Sequence, residues 1–350
     1  MFSLWANLYP SEKAPYYGTF VRSAYQGWVE VLGHGAVHKC VIDKPAKGKA
    51  EKVFSYAKLY LCCLLDMVFR RPSLVEIHYP FFFIPLLFFR PGRSTILRFH
   101  GSDLEKLLSS KWMLWMFNRV VSRIACIVVP SEYYRSRITG ELFYSGKVLV
   151  VAPDAVSDIF YPSAGEELIG GNVIGVVGRI EEEKNVQEVI EALAMLTDKS
   201  VELLIVGDGP YKCTLMTLAT ELGVEDRIRW VGLVPREELV FYMQKMSVFV
   251  FPSVRSAESF GLVGLEALAS GLPVIARQSL LGAREYINSK NSLLYDNSAR
   301  ALANSLNQFL SLSYDERKQM RRAALSSAEK FNFDDVVIGG VRQIIKVCDC

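Results

Sequence analysis

The sequence predicts an α/β protein with doubly wound parallel sheets, and three observations support this fold class. In the second half, short apolar runs alternate with segments in which apolar residues recur at helical spacing. Those runs are continuous, which indicates strands covered by helices on both faces and hence a parallel sheet. The 350 residues, 51% hydrophobic and 22% charged, suffice for two domains of ordinary size and exclude a disordered chain.

The second half contains the clearer elements. Its predicted strands are Asn172–Val177, Val201–Val206, Ile228–Val231, Val248–Phe251 and Pro273–Ala276. Helical spacing predicts helices from Val186 to Ala194, from Tyr211 to Leu222 and over Arg236–Met246. A sharp Gly-Asp-Gly-Pro turn follows the strand that ends at Val206.

The first half is less regular. Its predicted strands are Phe2–Leu8, Leu74–His78, Ser94–Phe99, Ala125–Val129 and Val148–Val151, and its predicted helices are Tyr56–Arg70 and Lys111–Ser122. The segment Ala152–Ser163 is rich in chain breakers and predicts a linker. We therefore expect one domain over residues 1–155, a second over 160–330, and a terminal helix over 331–350 that packs back on the first domain.

Membrane spans and paired cysteine motifs are not predicted. The longest uncharged apolar run, Ile77–Phe89, has thirteen residues and two prolines, which is too short to cross a bilayer. It predicts a core strand with a loop, and a membrane-facing aromatic patch is the alternative. Seven Cys without C-x-x-C spacing or a signal peptide indicate reduced thiols in the cytoplasm.

The charge is distributed unevenly. Residues 1–160 carry 20 Lys and Arg against 12 Asp and Glu, whereas the remainder carries 20 against 25. Among the basic residues of the first part are eight arginines interleaved with aromatic side chains: Arg70, Arg71, Arg90, Arg93, Arg119, Arg123, Arg135 and Arg137, near Trp112, Trp115, Phe117, Tyr133 and Tyr134. Such a surface suits anionic lipid; a solvated basic face explains it equally well.

The segment 251–276 carries the clearest chemistry. A strand leads into Phe260-Gly261, where a helix opens, and Glu258 and Glu266 lie on either side of that turn. Ligands bind at the carboxyl ends of parallel strands, and a helix N-terminus accepts phosphate. One carboxylate can then hold a ribose diol while the other reaches a sugar hydroxyl, which predicts a nucleotide-sugar site. Two solvated surface glutamates are the alternative.

This segment, E-S-F-G-L-V-G-L-E-A-L-A-S-G-L-P-V-I-A (258–276), resembles the signature of the GT4 family of GT-B glycosyltransferases, whose two Glu have the same separation. Further segments match the family in order: L-R-F-H-G-S-D (97–103), V-V-A-P-D-A-V-S-D-I-F-Y-P (150–162), V-V-G-R-I-E-E-E-K-N (176–185), I-V-G-D-G-P (205–210) and W-V-G-L-V-P-R-E-E-L (230–239). The chain departs from the family at Asn185, where Gly is usual, at Asp154-Ala155, at the N-terminal glycine pair, and in L-L-G-A-R-E-Y-I (280–287).

The resemblance implies a GT-B fold, in which two Rossmann-like domains face each other across a cleft, and it implies roles for individual residues. The resemblance assigns donor binding to Arg179, Lys184, Glu258, Phe260, Gly261, Leu262, Val263 and Glu266. Arg179 and Lys184 form a diphosphate clamp that makes a metal ion unnecessary, because fixed cations stabilise the leaving group as its charge grows. The residues with catalytic roles are thus Arg179, Lys184, Glu258 and His100.

Three residues of the first domain complete the set. His100 ends an apolar strand in the H-G-S-D context, and the resemblance implies that it contacts the donor sugar. Asp103 either shapes the same loop or assists at the acceptor. Gly18 belongs to a loop whose backbone approaches the diphosphate or the acceptor closely.

We therefore expect a cytoplasmic, metal-independent, retaining glycosyltransferase of the hexosyltransferase class that uses a UDP- or GDP-sugar and no cofactor. The expected acceptor is a lipid-linked oligosaccharide of surface polysaccharide assembly, reached by peripheral contact with an anionic membrane at the inner face, and nucleic acid is not an expected partner. A sugar-nucleotide epimerase and a non-catalytic scaffold of the same shape are the alternatives.

Overall fold

A computed structural model describes residues 1–12, 14, 17–89, 95–142, 144–163, 171–254 and 258–348. The chain divides into two compact units, one formed by residues 1–155 with 332–350 and the other by residues 156–331. Arg90, Arg93 and Ser94 of the sequence analysis lie outside the described residues, as does Cys350.

The first unit is built on a six-stranded parallel sheet. Its strands are β1 (Phe2–Ala6), β2 (Val37–Val41), β3 (Leu74–His78), β4 (Thr95–Arg98), β5 (Cys126–Val129) and β6 (Lys147–Val150). They are arranged in the order β2-β1-β3-β4-β5-β6, and every neighbouring pair is parallel. The strand order reverses between β1 and β3, so the loops after these strands flank the crevice where such sheets bind ligands.

Helices cover both faces of this sheet. Side chains of a strand alternate between its faces, so each strand contributes to two cores. The helices are α1 (Thr19–Leu32), α2 (Lys49–Leu65), α3 (Ile84–Leu87), α4 (Ser102–Ser109), α5 (Lys111–Val120) and α6 (Glu132–Glu141). Trp5, Ile77 and Leu97 face a core shared with α2 to α6, whereas Leu4 and Ile96 face a core shared with α1. A π-helical turn, Asp66–Arg70, extends α2.

The second unit has the same architecture with a different strand order. Its strands are β7 (Val173–Val177), β8 (Glu202–Val206), β9 (Ile228–Gly232), β10 (Val248–Phe251), β11 (Val274–Arg277) and β12 (Ser292–Tyr295), and its helices are α7 (Val186–Met195), α8 (Lys212–Glu221), α9 (Arg236–Met243), α10 (Leu262–Ala269), α11 (Ala299–Ser311) and α12 (Tyr314–Ala328). The order β12-β11-β10-β7-β8-β9 is parallel throughout. The strand order reverses between β7 and β10, which marks the ligand crevice of this sheet.

The last helix belongs to the first unit. A π-helical turn, Asp334–Ile338, leads into α13 (Gly339–Cys348), which packs on α1 and β5. Gly27 of α1 makes this approach possible, since a Cβ there would lie 2.6 Å from Val337 Cγ1.

The elements that the sequence analysis did not predict include two edge strands. β2 and β12 each have one neighbour in their sheet. Residues 38 and 39 of β2 are exposed, and β12 also has an exposed position. An edge strand is covered on fewer sides, so its apolar run is short and interrupted, and the continuous pattern used to find the other strands is missing. Within the described ranges, no helix is both long and apolar enough to cross a membrane.

Candidate functional site

A crevice of about 650 Å³ lies at the carboxyl ends of β7 and β8. It is lined by Val177, Gly178, Arg179, Val206, Gly207, Asp208, Gly209, Leu233, Val234 and Leu239. A narrower groove at the ends of β7 and β10 shares Arg179 with it and adds Lys184, Pro252 and Ser253. The candidate donor residues of the second unit therefore gather at the point where its strand order reverses.

Two glycines allow the loops after β7 and β8 to touch through their backbones. Gly207 has φ +136°, and a Cβ there would lie 1.9 Å from the carbonyl oxygen of Gly178. A Cβ on Gly209 would lie 2.3 Å from the carbonyl oxygen of Ile180. The Ile180 amide donates to the Asp208 carbonyl at 3.0 Å. Only glycine fits at these two positions of the I-V-G-D-G-P segment.

Lys184 and Glu258, 74 positions apart in the sequence, form an ion pair in the groove. Both side chains are largely buried, and Ser253 Oγ donates to Glu258 Oε2 at 3.2 Å. The Val254 amide donates to the Glu183 carbonyl at 2.9 Å, which fastens the loop after β10 to the turn that carries Lys184. Here the structure brings together a predicted phosphate-binding cation and a predicted sugar-binding carboxylate.

Asn185, where the GT4 family has Gly, keeps the backbone conformation that glycine favours. Its φ is +53°, in the left-handed region that Asn tolerates better than most residues. Its Nδ2 donates to Glu188 Oε2 at 2.6 Å and to the Pro252 carbonyl at 3.5 Å. The substitution therefore preserves the turn and adds side-chain hydrogen bonds to α7 and to the loop after β10.

The turn that opens α10 is held by close backbone packing. Gly261 caps the helix with φ +78°, and a Cβ there would lie 2.6 Å from Phe251 Cε1. Tyr286 Oη donates to the Gly261 carbonyl at 2.7 Å. Gly282 packs against the same loop, since a Cβ there would lie 2.4 Å from the Ser259 carbonyl oxygen.

The predicted donor residues of this turn fall into two groups. Leu262 and Val263 form the first turn of α10, where main-chain amides lack partners inside the helix. Phe260 differs, because its ring is buried against Tyr286 and Phe331 at centroid distances of 5.3 and 5.8 Å. Its side chain belongs to the core, so only its backbone is available to a ligand.

Glu266 lies one turn further along α10 and pairs with Arg236. Arg236 Nη2 lies 2.5 Å from Glu266 Oε1, and the guanidinium lies 5.6 Å from the centroid of the Phe160 ring. The family resemblance places Arg236 near the segment that reads the nucleotide base, but it did not predict the pairing with Glu266. Its place at the start of the helix after β9 was visible in the sequence. Its pairing with Glu266, 30 positions away, depends on how the strands are ordered in the sheet.

Arg179 stands apart from the other two cations. Its side chain is 70% exposed and pairs with Glu181, with Nε 2.9 Å from Oε1. Arg179 and Lys184 line the same groove, but of the two only Lys184 contacts Glu258.

In the first unit, Gly18 and His100 lie at the corresponding edge of the sheet. Gly18 precedes α1 with φ +81°, and a Cβ there would lie 2.0 Å from Leu8 Cδ1. His100 follows β4, and its ring stacks on Tyr79 and packs at a tilt against Phe20, at centroid distances of 4.7 and 4.5 Å. Gly18 thus packs on Leu8 at the start of α1, and His100 belongs to an aromatic cluster.

A second histidine that the sequence analysis did not select has the same setting. His78 ends β3, and its Nδ1 lies 3.0 Å from His100 Nε2. Beneath it Glu76 is buried, with Oε1 2.5 Å from Arg98 Nε and 3.7 Å from His78 Nε2, and it accepts a hydrogen bond from Trp28 Nε1. His78 also ends an apolar run of the sequence, and that signal could have identified it.

Burial lowers the pKa of both imidazoles. The nearby Arg98 guanidinium adds to this effect on the pKa of His78, and His78 and Arg98 add to it for His100. The two rings are therefore neutral near pH 7, and this edge of the sheet presents hydrogen-bonding groups without a net charge on the rings.

Asp103 is completely buried at the start of α4. Its Oδ1 accepts a hydrogen bond from the His100 amide at 2.9 Å, and burial raises the pKa of its carboxyl to about 7. Of the two roles given by the sequence analysis, shaping the His100 loop fits this position. Direct contact with an acceptor does not, because the carboxylate has no exposed surface. Within the described residues, no three His, Cys, Asp or Glu side chains form a group that could hold a metal ion.

Comparison with solved structures defines the fold class. HepE from Anabaena, solved in complex with UDP, aligns with 99% of this chain and 100% of its own chain at a TM-score of 0.76 and 16% identity. At that identity the similarity concerns the fold alone. The two doubly wound units have the GT-B fold that the sequence resemblance implied.

Residues 165–326 match the model of the family described as Glycosyl transferases group 1. Among curated relatives, 2-deoxystreptamine glucosyltransferase from Streptomyces kanamyceticus is 33% identical over 44% of this chain and 43% of its own length. Alpha-monoglucosyldiacylglycerol synthase from Streptococcus pneumoniae is 37% identical over 29% of this chain and 23% of its own. The chain spans less than half the length of these relatives.

Proposed function

We propose that this protein is a glycosyltransferase that moves a hexosyl group from a nucleoside-diphosphate sugar to an acceptor. One observation carries the proposal: in the second unit the Lys184–Glu258 pair joins the loops after β7 and β10, between which the strand order reverses, and the Arg236–Glu266 pair joins α9 to α10. They stand beside glycine loops and the first turn of α10. A diphosphate flanked by two hydroxyl-bearing sugars needs cations for its phosphates and carboxylates for the sugar hydroxyls, and the two pairs supply both kinds of group.

The pairs also account for how such a ligand would bind. A diphosphate attracts Lys184, and the exposed Arg179 can turn toward it. Lys184 then exchanges one anion for another, and Glu258 becomes available to sugar hydroxyls. Cations held beside the leaving group stabilise the charge that grows on it as the glycosidic bond breaks. Arg179 and Lys184 therefore act in catalysis as well as in binding.

The finer features of the reaction rest on the resemblance of residues 258–266 to the GT4 signature. They are transfer with retention of anomeric configuration, independence of a metal ion, and contact between His100 and the donor sugar. In this scheme Glu258 orients sugar hydroxyls, and Glu266 holds the ribose.

The proposed acceptor is a lipid-linked oligosaccharide, and the proposed location is the cytoplasmic face of an anionic membrane. The basic, aromatic first half of the chain supports this. One relative is named for a glucosylated diacylglycerol, which shows that a related domain occurs in a glycolipid synthase.

A thermal-shift screen with UDP, GDP, ADP and their sugars tests the donor site. Since a ligand that binds only the folded protein raises its Tm, we expect one nucleotide to raise the Tm of the wild type and to do so less in Glu266→Ala. Glu221→Ala, which removes an exposed carboxylate at the end of α8 in the same unit, is the matched control and should shift as the wild type does. No shift with any nucleotide would favour a non-catalytic scaffold.

Product analysis separates the remaining alternatives. A transferase forms a new glycosidic bond and releases nucleoside diphosphate, whereas an epimerase returns an isomerised sugar nucleotide. If the enzyme ignores anionic liposomes and glycosylates soluble sugars equally well, the lipid-linked acceptor is wrong.

A further inference from the structure

We propose that His78 is a positioning residue: it holds the His100 ring in the tautomer that carries its proton on Nε2, and so leaves His100 Nδ1 as a hydrogen-bond acceptor for a hydroxyl of the transferred sugar. This inference rests on the proposed function in one respect, since the contact between His100 and the donor sugar comes from there. Its own basis is a row of buried polar side chains on β3 and β4 that ends at His100, at the carboxyl edge of the first sheet.

The row lies on one face of the sheet. Glu76 and His78 are two positions apart on β3, so their side chains point to the same face. Arg98 on β4 is the register partner of His78, and Trp28 of α1 covers Glu76 with a hydrogen bond from its indole nitrogen. All four side chains are buried. The protein and not bulk water therefore decides which of the imidazole nitrogens carry protons.

The Arg98 guanidinium helps to keep the two imidazoles neutral. Its Nε lies 2.5 Å from Glu76 Oε1, so the carboxylate already has a cationic partner. Burial and this guanidinium lower the pKa of His78, and burial, His78 and Arg98 lower that of His100. A neutral imidazole carries one proton on one of its two nitrogens, and the neighbouring groups select which nitrogen this is.

Glu76 selects the position of the proton on His78. Glu76 Oε1 lies 3.7 Å from His78 Nε2, a buried nitrogen without a hydrogen-bond partner among the described residues. This distance is too long for a hydrogen bond, but a carboxylate oxygen still attracts an N–H group and repels a nitrogen lone pair. The proton of His78 therefore lies on Nε2, and Nδ1 keeps its lone pair.

His78 in turn selects the position of the proton on His100. His78 Nδ1 lies 3.0 Å from His100 Nε2, and the planes of the two rings differ by 24°. Two nitrogens at this distance share one proton, because two lone pairs or two N–H groups that face each other repel. Since His78 Nδ1 has the lone pair, His100 Nε2 donates the hydrogen bond, and His100 Nδ1 carries no proton.

His100 Nδ1 is the ring nitrogen that remains for a ligand. Tyr79 and Phe20 pack against the ring, and the backbone amide of His100 donates to Asp103. Within the part of the chain that the structure describes, no group forms a hydrogen bond with Nδ1. A nitrogen without a proton accepts a hydrogen bond from a sugar hydroxyl and cannot donate one to a carboxylate. This position therefore selects a hydroxyl over an anionic group on the sugar.

¹⁵N NMR of the full chain with labelled histidine tests the tautomers directly. The chain has four His, of which His34 and His38 are exposed, and the spectra of His78→Asn and His38→Asn assign the rings. A ring nitrogen that carries a proton resonates well upfield of one with a free lone pair. We expect both buried rings to be neutral near pH 7 with the proton on Nε2. A proton on Nδ1 of either buried ring, or a charged His100, would overturn the proposal.

Steady-state kinetics with the donor found by thermal shift gives a second test. Asn places its amide group where His has Nδ1, so His78→Asn can still accept the His100 proton, whereas His78→Leu cannot. We expect kcat/KM to fall about tenfold in His78→Leu and less than about threefold in His78→Asn. The control is His38→Asn, at an exposed position of β2, which should behave as the wild type does. Equal losses in folded His78→Leu and His78→Asn would show that His78 acts by packing alone, and the proposal is then wrong.

Donor analogues that each lack one sugar hydroxyl separate this proposal from the proposed function. We expect one analogue to react more slowly than the full donor in the wild type, with that difference abolished in His100→Ala and reduced in His78→Leu. If no analogue shows a difference that depends on His100, the sugar contact taken from the proposed function is wrong, whatever tautomers the NMR spectra show. If the difference depends on His100 but is unchanged in His78→Leu, the sugar contact is right and the positioning role of His78 is wrong.

Discussion

The carboxyl edges of the two sheets are built alike but carry different chemistry. In the second unit, Arg179–Glu181 is an exposed ion pair, and Lys184–Glu258 and Arg236–Glu266 are partly buried ones that line the donor side of the sheet. In the first unit, the Glu76–Arg98 pair is buried beneath His78 and His100, whose rings are neutral. One edge holds charges that can change partners, and the other holds charges that cannot.

The difference follows from desolvation. Removing one member of a buried ion pair costs several kcal/mol of stability, because the other charge stays in the interior without a partner. A buried pair therefore stays together. An exposed pair such as Arg179–Glu181 is worth about 0–1 kcal/mol. The partly buried pairs of Lys184 and Arg236 keep a solvent-accessible side, from which a diphosphate can replace the carboxylate as partner. The second edge is thus suited to binding a charged ligand, and the first to holding uncharged rings in fixed positions.

The largest expected effect tests whether the first edge depends on its buried pair. Glu76→Ala leaves Arg98 charged and buried, so we expect the free energy of unfolding to fall by about 3–5 kcal/mol. Urea unfolding followed by tryptophan fluorescence measures it well, because four of the five Trp lie in the first unit. Glu181→Ala, which breaks the exposed pair with Arg179, should change stability by less than about 1 kcal/mol. Equal losses in the two variants would contradict the comparison.

The next effect concerns catalysis at the second edge. Lys184→Met removes the cation nearest the proposed leaving group, and we expect kcat/KM to fall by about 10²–10³-fold, with partial activity in Lys184→Arg. Steady-state kinetics with the donor found by thermal shift measures it. Lys199→Met, at an exposed lysine of the same unit, is the control. Activity within threefold of the wild type in Lys184→Met would remove this residue from the mechanism.

A pH dependence follows from Asp103. Its folded pKa of about 7 lies above the value near 3.9 of an unfolded Asp, so between these values the folded state holds a proton that the unfolded chain has lost. The stabilisation from this group is therefore present at low pH and is lost as the pH rises to about 7. Relative to Asp103→Asn, the wild type should lose ~1.4 kcal/mol per pH unit between about pH 4 and pH 7.

Urea midpoints of the two proteins measured at several pH values check this expectation. If the urea midpoints of wild type and Asp103→Asn change with pH in parallel, the carboxyl of Asp103 ionises in the folded protein as it does in the unfolded chain, and the expectation is wrong.

The smallest expected effect concerns the turn at Asn185, at the carboxyl edge of the second sheet. Asn185→Gly removes the hydrogen bond to Glu188 but relieves the left-handed conformation, and these changes oppose each other. We expect stability to change by less than about 1 kcal/mol. Asn185→Val, which cannot relieve that conformation, should lose clearly more. Thermal unfolding of the wild type and the two variants measures these changes in stability. If Asn185→Gly loses as much stability as Asn185→Val, the hydrogen bond and not the backbone conformation determines the stability of this turn.

Much of the second unit was predictable because its buried strands are continuous apolar runs. β7, β8 and β10 appear within one residue of their predicted ends. The turn at Gly261 and the helix after it were also predicted. In the first unit the edge strand β2, with exposed polar residues, and α1, at the end of a loop rich in Pro and Ser, escaped the same criteria.

The sequence by itself determined the α/β class, the strand-turn-helix units and the residues that carry chemistry, because burial leaves a local periodic pattern and glycine marks the turns that need it. Only the tertiary structure decided that Lys184 meets Glu258 and Arg236 meets Glu266, that Asp103 is buried, and that the His78 ring meets the His100 ring. These relations join residues 22 to 74 positions apart or depend on which face a neighbour covers. Strand order sets them, and no local pattern encodes strand order.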